Sequence, residues 1–280
     1  MVQDEIVGFC RFSFVGRGDW QAFRDIQGQP PELLDRVAQN LFDPLRLEQR
    51  FRSFAQLTLA SVRAQTDPDF VFVVLASDRL DPVSRARLQA LCDPVPQVGL
   101  IFSDAPTLSE ALHPVLAELR HDSRRNVIQF RLDDDDAIPV DYIANLRRHA
   151  ERLADLDRFA ISFNRGLMVK LAPGQAPVPL AYALPFLGAG CAISDGRDHK
   201  LIFEIGHFQI AKLFTHIQDI DHPGALVTRW TDSDSKELVL DALPRNITRL
   251  RDWRFRRQIR RHFPFLNDVD FASLLTPPPA

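Results

Sequence analysis

Cysteine is scarce in this chain of 280 residues: Cys10, Cys92 and Cys191 stand alone, and no CxxC pair exists. Three isolated thiols exclude a disulfide framework and the ligand spacing of a zinc finger, and they fit a reducing compartment. Long apolar runs are also missing, since no stretch approaches the roughly 20 residues that span a bilayer. The start, MVQDEIVGFCRF, carries Asp4 and Glu5 before a short apolar segment. A secretory leader has a basic start and a longer apolar run, so a cytoplasmic location is the expectation. Charge of one sign is not in excess: 34 basic against 37 acidic residues give −3. No global basic field draws nucleic acid, and no nucleic-acid partner is expected. Two Tyr and three Trp offer little for a surface that binds sugars by stacking alone. What is present, 45% hydrophobic and 25% charged residues, is the composition of a globular chain and excludes a disordered or fibrous one.

Hydrophobic spacing orders the first half. A strand is expected over Ile6–Val15, with Phe9, Arg11 and Ser13 on one face and Cys10, Phe12 and Phe14 on the other, ending in a turn at Gly16-Arg17-Gly18. An irregular excursion follows from Trp20 to Asp43. Pro44 opens a helix over Leu45–Gln65, and FVFVVLA at Phe70–Ala76 reads as a strand covered on both faces. A helix from Pro82 to Cys92, a strand at Val98–Phe102, a helix over Leu108–Leu119 and a strand at Asn126–Leu132 complete the pattern. A further helix runs from Pro139 or Val140 to about Leu156. Strand and helix alternate four times, which predicts a mostly parallel sheet with helices on both faces. From Phe159 the order loosens. Phe159–Phe163 and Leu167–Leu171 read as strands, 172–185 as a proline-rich loop or edge crossing, and His199–Ile217 as largely helical. The change in regularity points to a nucleotide half and an acceptor half rather than to separable domains.

The fourth strand runs into Asp133-Asp134-Asp135-Asp136. Neighbouring carboxylates repel, and in a partly dry crevice at least one is driven towards protonation unless a cation sits among them. Carboxylate oxygens are the hard ligands that Mg²⁺ and Mn²⁺ take. Ligands of open α/β sheets bind beyond the carboxyl ends of the strands. In an extended chain Asp133 and Asp135 share one face and Asp134 and Asp136 the other, so that one pair can converge on a metal while the other meets backbone or ligand hydroxyls. Arg131 lies on the face of Asp133 and can neutralise it. The plainer alternative is a solvated acidic turn at a helix N-terminus. An EF-hand is excluded, because its loop needs Gly at the sixth position and Glu at the twelfth. A DxDxT phosphatase is disfavoured too, since Ala137-Ile138 follows and the strand is the fourth.

Three stretches resemble the bacterial family named putative rhamnosyl transferases, a group of GT-A-type nucleotide-sugar glycosyltransferases. They are RFSF at Arg11–Phe14, FRSFAQLTLASVRAQTDPDFVFVVLASDRL at Phe51–Leu80, and FRLDDDDAIPVDYI at Phe130–Ile143. The resemblance covers roughly the first 165 residues well and the remainder loosely. It implies a GT-A-like α/β fold: a Rossmann-type, mostly parallel sheet flanked by helices, with a less regular acceptor-side C-terminal half. It implies one glycosyltransferase domain over residues 1–280, with a nucleotide-sugar half at 1–158 and an acceptor half at 159–280. By the same resemblance Arg11, Ser13, Asp78, Arg131, Asp133 and Asp134 bind the nucleotide sugar. Asp135 ligates Mn²⁺ or Mg²⁺ directly, and Asp133 meets the ribose or the metal through water. The metal's role is that of a Lewis acid for the departing nucleoside diphosphate.

An inverting transferase needs a base for the acceptor hydroxyl. GT-A enzymes often carry it in a Glu-Asp pair well beyond the Asp-x-Asp, a pair this chain lacks. At that distance it reads FEIGHFQIAKLF, after a glycine-rich GAGCAI, and Glu204 or His207 is the expected base, three apart on one helix face. A packed or solvated histidine is the ordinary alternative. Asp219, Asp221 and His222 in IQDIDHP form a second polar cluster, either a late metal or diphosphate ligand or a helix-ending turn before Pro223-Gly224. From Arg245 to Arg261, eight arginines and one aspartate give a local charge of +7, interleaved with Trp253 and Ile259. A basic amphipathic helix of this kind fits an anionic membrane surface, and equally a solvated face paired with the acidic remainder.

The expected activity is therefore metal-dependent transfer of a sugar, with rhamnose the candidate, from a nucleoside-diphosphate sugar to a glycan or lipid-linked acceptor, with inversion. The location is cytoplasmic, peripheral to the inner membrane face. Two rivals stand beside it. One is another metal-dependent nucleotide enzyme, a nucleotidyltransferase or phosphohydrolase. The other is a non-catalytic metal- or carbohydrate-binding module.

Overall fold

The structure, a computed structural model, describes residues 4–17, 31–121, 126–230 and 238–275. Gly18, the first part of the expected excursion and the prolines at 277–279 lie outside them. The first half runs β1 (Glu5–Phe12), α1 (Pro31–Leu41), α2 (Pro44–Ser53), a π-helical turn (Phe54–Leu59), α3 (Ala60–Arg63), β2 (Val71–Ser77) and α4 (Pro82–Cys92). It continues through β3 (Val98–Ser103), α5 (Leu108–His121), β4 (Val127–Arg131) and α6 (Tyr142–Glu151). The second half holds β5 (Arg158–Lys170), β6 (Val178–Ala183), β7 (Ala192–Asp195), α7 (His207–Leu213), β8 (Thr215–Arg229), β9 (Ile247–Arg249) and α8 (Asp252–His262). Both α2 and α4 begin at Asp-Pro. Asp43 accepts from the N–H groups of Leu45 and Arg46, and Asp81 from those of Val83 and Ser84, while proline occupies the first helical position.

One sheet carries strands of both halves in the order β3-β2-β1-β4-β7-β5-β6-β9, with β8 against β5. The β3-β2-β1-β4 part is parallel, as the alternation predicts; β7, β6 and β9 pair antiparallel with their neighbours. Ile6, Cys10 and Phe12 pack under α2, α4 and α6 on one face, and Val7 and Phe9 pack under α5 and α7 on the other. Gly8 is needed at the centre of β1. A Cβ there falls 2.3 Å from the Phe130 ring and 2.6 Å from that of Phe72, and those rings lie 6.2 Å apart. Among the described residues no helix is long and apolar enough to cross a membrane.

Several local expectations change. The strands expected at Phe159–Phe163 and Leu167–Leu171 are the single strand β5, and Ile247–Arg249, at the start of the expected basic helix, is β9, with α8 beginning only at Asp252. Phe14 joins the face of Phe9, not that of Phe12, because β1 ends at Phe12 and Ser13 turns the chain at φ 49°. The helix expected over Leu45–Gln65 contains the π turn at Phe54–Leu59. The proline-rich stretch contains β6, with Pro179 paired to Val169. Most unlike the reading, His199–Ile217 is not one helix. Only α7 is helical by more than a turn, and Thr215 starts the 15-residue strand β8. Pro223 sits within that strand at a register shift against Arg165. A bulge tolerates the missing N–H donor.

Candidate active site

The four aspartates form a tight turn just beyond β4, with the Asp136 N–H donating to the Asp133 carbonyl at 3.2 Å. The chain is thus bent here, not extended, yet the expected alternation survives. Asp134 and Asp136 are 3% and 6% exposed, whereas the Asp133 side chain is 37% exposed and Asp135 is half-buried.

Three elements hold the inward pair. Arg50 on α2 donates to both Asp134 oxygens, at 2.7 and 2.6 Å. The Thr228 N–H on β8 donates to Asp136 Oδ1 at 3.0 Å, and its hydroxyl to the Asp135 carbonyl at 2.9 Å. The Thr58 hydroxyl reaches the carbonyls of Asp133 and Asp136 at 3.2 and 2.9 Å, and Ser53 reaches that of Asp134 at 3.3 Å. Ser53 and Thr58 are five residues apart. An α-helix cannot stack that pair on one side, and the wider π turn does.

Crowding sets the electrostatics. Burial first, then the charge of Asp134 and that of Asp133, push the Asp135 carboxyl up to about 7, against the pull of Arg50. Burial and the charge of Asp135 push Asp136 well above the usual carboxylate range. Asp133 is balanced by Arg131 Nη2 at 3.4 Å and Arg11 Nη2 at 3.6 Å. Two carboxylates only partly covered in the turn beyond β4, held at an energetic cost when both are charged, are a hard-oxygen donor set that suits Mg²⁺ or Mn²⁺.

Arg11, at the end of β1, and Arg131, at the end of β4, both face the Phe203 ring, at 5.5 and 5.0 Å from its centroid. Gly188 lies against the Arg131 guanidinium. The next turn is fixed by the Gly190 N–H donating to the Arg131 carbonyl at 3.0 Å, with Gly190 at φ 72°. Ser13 is fully buried, and its hydroxyl has no partner among the described residues. Asp78 stands exposed just after β2, on the same carboxyl rim of the sheet as the β1 and β4 ends, its N–H donating to Ser103.

The expected pair of base candidates is separated. Glu204 closes a 3-10 turn (Ile202–Glu204), and His207 begins α7 one turn later, so they share no helix face. Glu204 accepts from His113 Nε2 at 2.8 Å and from the Leu201 N–H at 2.9 Å. Burial raises its carboxyl, but His113 and the Leu201 N–H outweigh it and leave the value below normal. The His207 ring packs on Phe208 at 4.1 Å.

Asp219 and His222 lie in β8 rather than in a helix-ending turn, and they meet His149 of α6, not the acidic turn. The AQTDPDF segment is a clasp for α6. Gln65 accepts from the Ile143 N–H, and Arg147 donates to Asp67 at 2.8 Å. Sequence reasoning missed Arg50, Thr58, Phe203 and Thr228. The one local signal was the polar pair Ser53 and Thr58 inside an otherwise apolar helical stripe.

A profile of the family described as "Putative rhamnosyl transferase" matches residues 5–241. The chain belongs to this family of glycosyltransferases. The match includes the acidic turn, Phe203 and β8, and stops before α8. No curated protein sequence matches the chain. Among solved structures, this transferase is similar to a protein of Desulfovibrio desulfuricans G20 described as a "putative nucleotide-diphospho-sugar transferase", at 11% identity and a TM-score of 0.35, over 84% of either chain. It is similar to S. aureus TarS 1-349 at 9% identity and a TM-score of 0.37, over 80% of this chain and 60% of that one. The mannosyltransferase PcManGT of Pyrobaculum calidifontis, in complex with GDP-Man and Mn²⁺, is 15% identical with a TM-score of 0.39, over 81% of this chain and 57% of that one. The transferase thus spans less than two thirds of the latter two.

Proposed function

We propose that this protein is a metal-dependent glycosyltransferase with a GT-A-like site that takes its sugar from a nucleoside-diphosphate donor. One observation carries the reading. Arg50, Thr58 and Thr228 tie Asp134 and Asp136 inward and leave Asp133 and Asp135 half-exposed at the end of β4. A turn that only capped a helix needs no such bracing from three elements.

Asp135 and Asp133 would hold Mg²⁺ or Mn²⁺, which when bound supplies Lewis-acid stabilisation of the departing diphosphate. Arg11 and Arg131 add fixed positive charge beside that diphosphate, in a site where such charge needs no reorganisation. Ser13 and Asp78 line the nucleotide side of the same rim. Asp134, turned into Arg50, positions the turn rather than touching the donor. His207 is the proposed base for the acceptor hydroxyl, because Glu204 is engaged by His113. The rhamnosyl donor is carried by the family name, and inversion is the course in which a base such as His207 takes the acceptor proton.

For the acceptor we propose a lipid-linked glycan, reached through α8. Arg251 and five arginines of α8 are exposed, and Trp253 is 55% exposed beneath Arg254, while Phe255 and Ile259 pack inward. This pattern fits an anionic membrane surface. The test of the whole reading is product formation. Purified protein with Mn²⁺, a panel of nucleoside-diphosphate sugars including dTDP-rhamnose, and membrane lipid extract should yield a glycosylated lipid by mass spectrometry. No transfer from any donor, with the protein folded, contradicts it.

A further inference from the structure

We propose that His149, Asp219 and His222 form a second cation site, of the zinc type, apart from the acidic turn. The three residues come from the C-terminal part of α6 and the first half of β8, and their donor atoms lie within 4.8 Å of one another. His149 Nε2 stands 2.6 Å and His222 Nδ1 2.8 Å from the same oxygen, Asp219 Oδ2. The other oxygen is already used: Asp219 Oδ1 accepts from the N–H groups of Asp221 and His222 at 2.7 and 2.9 Å. The backbone therefore fixes the carboxylate so that Oδ2 faces both imidazoles. The His149 ring is fixed as well, packed 5.7 Å from the Phe163 ring. His149 and Asp219 are buried, while the His222 side chain is 33% exposed and leaves a way in.

The chemistry of the donor set names the class of ion. Two imidazole nitrogens and one carboxylate suit Zn²⁺ and its borderline neighbours, whereas Mg²⁺ and Mn²⁺ prefer oxygen. Three protein ligands and one half-open side give a site whose fourth position is left to solvent. Ligands of a tetrahedral ion at about 2.1 Å stand roughly 3.4 Å apart, so the two short contacts must open by somewhat more than half an ångström. Two features weaken binding. Arg148 Nη2 is 3.5 Å from His222 Nε2, and a metal on Nδ1 places a proton there, so this exposed arginine must turn outward. The buried His149 Nδ1 has no partner among the described residues, and a missing outer-shell partner lowers metal affinity about 10- to 100-fold. Micromolar affinity is the expectation.

Phe163, level with Asp219, is six residues along β5 from Val169, which pairs with Thr228 at the acidic turn. That is roughly 20 Å of strand path, so the site is distinct from the proposed catalytic metal, and the inference stands independently of the proposed activity. Zinc here would pin α6, which follows the acidic turn, to β8, which braces it.

The test uses the full chain stripped of metal. Titration with ZnCl₂ by calorimetry should give one equivalent at micromolar affinity. Co²⁺ should develop the visible absorption of a tetrahedral site, and saturating Zn²⁺ should raise the melting temperature by several degrees. His149→Gln should weaken binding at least tenfold. His222→Ala, at the half-exposed ligand, should do the same with an unchanged circular dichroism spectrum, and Asp135→Asn should retain it. Absence of zinc binding by the wild-type chain, leaving only a hydrogen-bonded His-Asp-His clasp, overturns the proposal. So does binding that survives His222→Ala or disappears with Asp135→Asn.

Discussion

Arg50 and Asp134 face each other across the interface between α2 and the acidic turn, one guanidinium nitrogen within 2.7 Å of both carboxylate oxygens. Asp134 is 3% exposed, so it cannot turn to water when its partner is lost. Removing one member of such a buried pair costs about 3–5 kcal/mol, because the other charge is left uncompensated. Arg50→Met should lower stability by that amount in urea unfolding. Adding Asp134→Asn to it should restore a large part. If Arg50→Met alone is neutral, the pair does not hold the turn.

Asp135 predicts how cation binding depends on pH. Its folded value of about 7 lies above the ordinary aspartate value of 3.8, so the metal-free protein holds a proton that the unfolded chain releases. Its contribution to stability is fully present below about pH 4 and is lost as pH rises through 7. A cation displaces that proton, so Mn²⁺ affinity should rise as pH rises towards 7. Between about pH 5.5 and pH 7.5 the dissociation constant should fall roughly 20- to 30-fold, as read by calorimetry. A flat profile would remove Asp135 from the ligand set.

Asp219 has the opposite sign. Burial raises its carboxyl, but the N–H of His222, the His149 imidazole and the N–H of Asp221 hold it at about 2, against the ordinary aspartate value of 3.8. Its contribution is present above about pH 4 and is lost as pH falls towards 2, worth at most about 2 kcal/mol. Asp219→Asn should flatten the fall in stability between about pH 4 and pH 2 relative to the wild type. An unchanged acid limb contradicts this account of the β8–α6 contact.

The arginines of α8 should bind anionic vesicles with strong salt dependence. Each contributes about 1 kcal/mol near such a surface, so Arg256→Glu, Arg257→Glu and Arg260→Glu combined should weaken co-sedimentation at least a hundredfold. These side chains are exposed, so the fold should be unaffected. Equal sedimentation of wild type and variant would leave α8 as a solvated face.

The parallel half and the position of the acidic turn were legible because they rest on local patterns: β-branched runs, Asp-Pro helix starts, and a strand that runs straight into four aspartates. The bracing was not legible. Arg50 and Thr228 reach the turn from 84 and 92 residues away, and no local pattern marks them. The long strand β8 was hidden by Pro223-Gly224, which reads as a stop in isolation but sits at a register shift of β8 against β5. That same error separated Asp219 and His222 from His149, whose place beside them is set by α6 packing on Phe163.

The most direct test of the central claim is a thermal-shift measurement with UDP, GDP, dTDP and CMP, each with and without Mn²⁺, on the wild type and on Asp135→Asn. The account predicts that one nucleotide stabilises the wild type only when Mn²⁺ is present. At a hundred times its dissociation constant it should add about 2.7 kcal/mol, a shift of a few degrees. Asp135→Asn, which takes a charge out of the crowded turn, should melt no lower than the wild type without ligand and show no such shift. A metal-requiring shift that survives intact in Asp135→Asn, or no shift with any pair, contradicts the assignment of the acidic turn as the donor site.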